Sequence, residues 1–121
     1  MRRRNKYGNT RVGKYQSKRE RDRAVVLKLL EKQGLIKDLK EQVRFQLIPS
    51  QRGMVEGITK GKLVIKEGVV EQPISYYADF TYTDVKSGEY IVEDTKGFRT
   101  EVYKIKRKLM LYIHNIKIKE S

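Results

Sequence analysis

The sequence predicts an α/β domain in which a mixed central β-sheet is flanked by helices. Three observations predict it: a helical periodicity near each end of the chain, two β-rich runs joined by a turn between them, and strand-like alternation on either side of that hairpin. At 121 residues, 38% of them hydrophobic, the chain suffices for one modest core.

From Ser17 the pattern is helical. Ser17 and Glu20 form an S-x-x-E capping box, Ala24 and Leu27 continue the stripe that Glu20 begins, Val25, Val26 and Leu30 accompany it, and Gly34 supplies the stop. Glu20 is therefore open to two readings, a cap with no catalytic role or a carboxylate pointing along the buried stripe toward the sheet. Gln42 to Leu47 alternates with period two until Pro49, as a half-buried strand does. Residues 50–72, with Gly53, Gly57, Gly61 and Gly68, read as a variable insertion carrying one edge hairpin. Thr100 caps a second helix from Glu101 to His114, whose apolar face reads as Val102, Ile105, Leu109, Tyr112 and Ile113. His114, the one histidine, is expected to satisfy the last helical carbonyls, and Ile116 to Lys119 to extend the sheet.

The central hairpin carries the chemistry. Tyr76-Tyr77-Ala78-Asp79-Phe80 and Ile91-Val92-Glu93-Asp94-Thr95-Lys96-Gly97 flank a turn at Lys86-Ser87-Gly88. If Asp84 faces Glu89 across that turn, Asp79 faces Asp94 and Tyr77 faces Lys96, and directly opposed residues share a face. Two carboxylates with Cβ atoms roughly 5 Å apart repel unless a cation or a proton lies between them. Mg²⁺ or Mn²⁺ suits such a pair, with water and phosphate completing its shell. A register slip of one residue would dissolve the constellation.

Asp79, Asp94 and Lys96 resemble the D…(D/E)-x-K signature of the restriction-endonuclease-like, PD-(D/E)xK, nuclease superfamily, with Ala78 where the nominal pattern has proline. The wider framing of Ser17-Lys18-Arg19-Glu20, Tyr77-Ala78-Asp79-Phe80, Glu93-Asp94-Thr95-Lys96-Gly97 and the Tyr103, Lys106, Lys108-Leu109 helix is similar to a small phage-encoded family of unknown function. That likeness spans the chain apart from residues 50–72. The resemblance implies a restriction-endonuclease-like fold and a hydrolase that cleaves phosphodiester bonds with Mg²⁺, for which Mn²⁺ substitutes. Asp79 and Asp94, with a backbone carbonyl near Thr95, would hold the ion, Lys96 would orient water or neutralise phosphate, and Glu20 would be the added acid that several members carry on the first helix. Tyr103 and Lys106 belong to the family-like pattern and are expected at nucleic acid.

Charge points the same way. With 28 Lys and Arg against 15 Asp and Glu the net charge is +13, so a polyanion is the expected partner. Residues 1–16 read as a basic arm, and Arg2, Arg3, Arg4, Lys6, Arg11, Lys14 and the adjoining Lys18 are its expected phosphate contacts. The absence of cysteine excludes disulfides, cysteine-based zinc sites and thiol chemistry. No signal-peptide core and no membrane-length apolar run occurs, so the expectation is a cytoplasmic protein without a membrane partner, in the host cytoplasm if phage-encoded.

The function expected from these observations is a DNA endonuclease, structure-selective and Holliday junction resolvase-like, acting in phage DNA recombination or processing. A homodimer would supply two cuts. A non-catalytic nucleic-acid-binding protein that keeps the nuclease fold, and a ribosomal-type RNA-binding protein, are the alternatives.

Overall fold

The computed structural model describes residues 13–121, so the arm residues Arg2, Arg3, Arg4, Lys6 and Arg11 lie outside the described residues. Eight elements follow in order: α1 (Lys18–Lys32), β1 (Ile36–Ile48), β2 (Gln51–Thr59), β3 (Lys62–Glu71), β4 (Ile74–Asp84), β5 (Tyr90–Asp94), α2 (Glu101–His114) and β6 (Lys119–Glu120). Four strands form a sheet in the order β1-β4-β5-β6, antiparallel except for the parallel β5–β6 pair, and β2 and β3 form a second, two-stranded sheet. The α/β class with a mixed central sheet is therefore the observed one.

Each helix starts where a hydroxyl satisfies a free backbone donor. Ser17 Oγ accepts from Glu20 N at 3.1 Å, and Thr100 Oγ1 accepts from Tyr103 N at 3.0 Å. Glu20, Ala24 and Leu27 are the buried residues of α1, and the last two pack with Ile36, Phe80 and Tyr82. The buried stripe of α2 differs from the expected one: Tyr103 and Met110 are buried, whereas Val102, Ile105 and Tyr112 are exposed, Tyr112 to 88%. Counting aliphatic residues selects the wrong face because the stripe that meets Tyr76, Ala78, Val92 and Ile118 is led by a tyrosine whose hydroxyl has a partner. His114 does not serve its own helix: its Nε2 lies 2.8 Å from Gln46 O of β1 and its ring meets Phe45 edge-on.

Strand β1 begins six residues before the alternation becomes visible, because Asp38 (φ 56°) and Gln42 (φ 52°) adopt left-handed conformations that interrupt period two. The hairpin expected within residues 50–72 is present, but it takes up nearly the whole segment and forms a two-stranded sheet of its own. Its turn at Lys60-Gly61 has positive φ at both residues, as a tight two-residue connection with the strand twist requires. The glycines that suggested breaks sit inside it, Gly53 opposite Gly68. A β-carbon at Gly68 would stand 2.6 Å from Val55 Cγ2, so that position is closed to larger residues without rearrangement.

The described end of the basic arm is tied to the domain. Tyr15 packs beside the α1 cluster and donates to Glu41 Oε1 at 3.1 Å, and Lys14 Nζ pairs with Glu41 Oε2 at 2.8 Å, so the folded unit begins before Ser17. Among the described residues no helix is long and apolar enough to cross a membrane.

Candidate active site

The register of the central hairpin decides which side chains meet. Phe80 lies opposite Glu93, Thr81 opposite Val92, Tyr82 opposite Ile91 and Thr83 opposite Tyr90, and Asp84 N donates to Glu89 O at 2.9 Å. Asp79 and Asp94 lie one position beyond the last paired residues, and their side chains interact. Strand β5 ends there, so Lys96 does not pair across to Tyr77. Instead Thr95 turns inward, its backbone N–H and its hydroxyl both donating to Asp79 Oδ2 at 2.9 Å. Lys96 then folds back, with Nζ 3.2 Å from Asp94 Oδ2 and 4.5 Å from the centre of the Tyr103 ring.

Asp94 is 1% exposed. Its Oδ2 accepts from Tyr76 Oη at 2.7 Å and faces Lys96, but its Oδ1 is buried without a hydrogen-bond donor. Burial first, and then the Asp79 carboxylate beside it, push the Asp94 pKa up to about 8, against the smaller opposing pull of Lys96 and Tyr76. The same burial and the charge of Asp94 raise the Tyr76 phenol, which therefore stays protonated and donating. A buried oxygen with no donor, next to a second carboxylate, suits a cation.

Glu20 completes the acidic wall. Its Oε2 accepts from Gln16 N at 3.0 Å, so it reaches back past the helix start as a capping residue does. Its Oε1 accepts from Gln42 Nε2 at 3.1 Å, and the same amide nitrogen lies 3.2 Å from Asp79 Oδ1. Glu20 thus reaches back as a cap and lies near Asp79, linked to it through Gln42. Burial, followed by the charge of Asp79, raises its pKa. Gln42 has no signal in the sequence. Its role depends on the left-handed turn in β1, which no residue pattern announces.

A third buried acid is one the sequence does not single out. Glu93 is fully buried, receives Arg23 Nε at 2.6 Å and a second Arg23 nitrogen at 3.0 Å, and accepts from Tyr82 Oη at 2.5 Å. Burial would raise its pKa, but the hydrogen bonds from Arg23 and Tyr82 outweigh that and hold it below the usual range. Adjacent carboxylates on one strand are therefore displaced in opposite directions. The satisfied one fastens α1 to β5; the unsatisfied one faces the site.

Two clefts adjoin at Lys96 and Tyr103. One, of about 220 Å³, is lined by Ser17, Glu20, Asp79, Thr95, Lys96 and Tyr103 among others. The other, of about 260 Å³, is lined by Tyr77, Asp94, Lys96, Val102, Tyr103 and Lys106 among others. Of the basic residues expected at nucleic acid, Lys18 is exposed at the start of α1, Lys106 lines the second cleft, and Lys14 is paired with Glu41. Tyr103 is buried, donates to Glu120 Oε2 at 2.8 Å and lies beneath Lys96, so it supports the lysine and offers no free hydroxyl. Arg19, which the sequence did not distinguish from its neighbours, donates to Lys96 O at 3.1 Å and braces the turn.

Among the described residues no three acidic or histidine side chains gather into a ready-made metal cage. Asp79 and Asp94 nevertheless fit Mg²⁺ or Mn²⁺. Such ions are commonly held by one or two carboxylates and keep several waters or phosphate oxygens, and Asp94 Oδ1 is an acceptor in want of a partner. A family model described as "Protein of unknown function (DUF1064)" matches residues 4–120. No curated protein and no solved structure matches the chain.

Proposed function

We propose that this chain, which belongs to the DUF1064 family, is a metal-dependent nuclease that hydrolyses phosphodiester bonds in DNA. The observation that carries the reading is the pairing of Asp79 with a buried Asp94 whose Oδ1 lacks a donor, with Lys96 poised on the same carboxylate. The antiparallel hairpin bearing these acids, followed by α2 and a strand parallel to β5, supports the resemblance to the restriction-endonuclease-like superfamily. The charge of +13 supports a nucleic-acid substrate.

Asp79 and Asp94 would hold Mg²⁺ or Mn²⁺, with the Thr95 carbonyl as a further oxygen. When bound, the ion supplies Lewis-acid polarisation of the phosphate and lowers the pKa of a bound water. The chain's own groups do the rest. Thr95 fixes the orientation of Asp79 with two hydrogen bonds, and Tyr76 fixes that of Asp94. Lys96, supported by the Tyr103 ring, places a positive charge where a phosphate would build negative charge. Glu20, linked to Asp79 through Gln42, offers a carboxylate to a water beside the ion's site.

Branched DNA is the substrate to which this reading gives priority, with a homodimer bringing one site to each of two strands. In a panel of branched, duplex and single-stranded DNA and RNA, the wild type should cleave at least one DNA substrate only with Mg²⁺ or Mn²⁺. Asp79→Ala should lose cleavage by about a thousandfold or more, the scale on which transition-state charge stabilisation operates, while retaining salt-sensitive binding. Inertness of the wild type toward the whole panel with both ions would leave a non-catalytic nucleic-acid-binding protein.

Ion binding should also be linked to pH. Asp94 carries a proton below about 8, and a carboxylate must be deprotonated to bind a metal. Mn²⁺ affinity is therefore expected to climb roughly tenfold per pH unit below that value and then level off. A titration giving the same affinity at pH 6 and pH 8 would contradict a role for Asp94.

A further inference from the structure

The cleft on the far side of Lys96 from Glu20 differs in chemistry from the acidic one. Its walls include Tyr77, 55% exposed, and Val102, 62% exposed, together with Tyr103, and Lys106 and Lys96 are its cations. Among the described residues Lys106 has no carboxylate within ion-pair distance, in contrast to Lys14, Arg23, Arg99 and Lys104, each of which is paired. An exposed aromatic ring, an aliphatic wall and the unpaired ammonium of Lys106, beside the Lys96–Asp94 pair, offer a stacking face next to a phosphate contact. They match a flat, apolar heterocycle attached to a phosphate.

Resting on the nuclease reading, we infer that this cleft is a nucleobase subsite that takes one unpaired base beside the scissile phosphate, stacked on Tyr77, with Lys106 on the adjoining phosphate. A base inside a continuous duplex presents only its edges in the grooves. Its face becomes available to a side chain only where the strand is single or the base is extruded. The substrate class is therefore DNA with unpaired nucleotides at the cut: a single strand, a flap or a branch point, and not a fully paired duplex.

The inference is tested by binding, without any divalent ion, of oligonucleotides carrying the fluorescent base 2-aminopurine in a single strand, at a flap junction and within a blunt duplex. The wild type should bind the first two more tightly than the duplex and change the probe's fluorescence. Tyr77→Ala should weaken single-strand binding by about tenfold, as loss of one stacked base does, whereas Tyr77→Phe should keep it. Lys106→Gln should weaken all substrates and reduce the salt dependence of binding. Equal affinity for duplex and single strand, or an unchanged affinity in Tyr77→Ala, overturns the subsite. Because this readout needs no cleavage, a protein that stacks bases through Tyr77 yet cuts nothing with Mn²⁺ would refute the nuclease reading and leave the subsite standing.

Discussion

Asp94→Asn is expected to make the metal-free protein more stable while abolishing Mn²⁺-dependent cleavage. In the wild type the ionised side chain is buried beside Asp79 with one oxygen lacking a donor. An asparagine of the same shape removes the charge, keeps an acceptor for Tyr76 and supplies an N–H to the Asp79 side. The gain should be roughly 1–3 kcal/mol, the scale of one uncompensated buried polar group, partly offset by loss of the Lys96 ion pair. The effect carries its own pH signature. The folded-state pKa of Asp94, about 8, lies above its ordinary value of 3.8, so the folded state favours the proton. Ionisation then destabilises progressively as pH rises between those two values and reaches its full cost above the upper one. The advantage of asparagine should be small near pH 4.5 and largest near pH 8. Thermal unfolding of both proteins at the two pH values measures it, and a variant less stable than wild type at pH 8 would show that Asp94 is a satisfied structural acid.

Arg23→Ala should cause the largest loss of stability of any single change considered, about 3–5 kcal/mol, because it leaves the fully buried Glu93 carboxylate without its cation. Here the sign is reversed. The folded-state pKa of Glu93 is held below its ordinary value of 4.5, so its contribution is complete above that value and disappears as pH falls through the lower, folded one. The cost of Arg23→Ala should therefore shrink in acid, where that of Asp94 ionisation also vanishes, and persist at neutral pH. Glu93→Gln should cost less, since Arg23 is partly exposed and water can solvate it. Urea unfolding of the three proteins at pH 7 gives the comparison. Equal stability of Arg23→Ala and wild type would mean that α1 is fastened to the sheet by its apolar contacts alone.

Local signals made much of this legible from the residues. The two caps at Ser17 and Thr100, the turn before Gly88 and the register that brings Asp79 toward Asp94 all depend on residues a few positions apart. Long-range or conformational features stayed hidden. The left-handed Gln42, which links Glu20 to Asp79, lies where alternation appeared to begin. Gly53 and Gly68 look like breaks because a glycine opposite another glycine has no side chain to reveal its pairing. Glu93 and Arg23 are seventy residues apart and meet only once α1 packs on β5. Extending the ladder puts Lys96 opposite Tyr77, whereas the strand ends at Asp94, where Thr95 gives its N–H to Asp79. In α2, hydropathy favoured the stripe with more aliphatic residues over the one with Tyr103 and Met110.

The most direct measurement is Mn²⁺ binding at pH 8, followed by isothermal titration, to the wild type, Asp79→Asn and Lys14→Gln. Saturable binding by the wild type and by Lys14→Gln, with at least tenfold weaker binding by Asp79→Asn, is the expected result. Equal binding by all three would mean that the two central aspartates do not hold the ion.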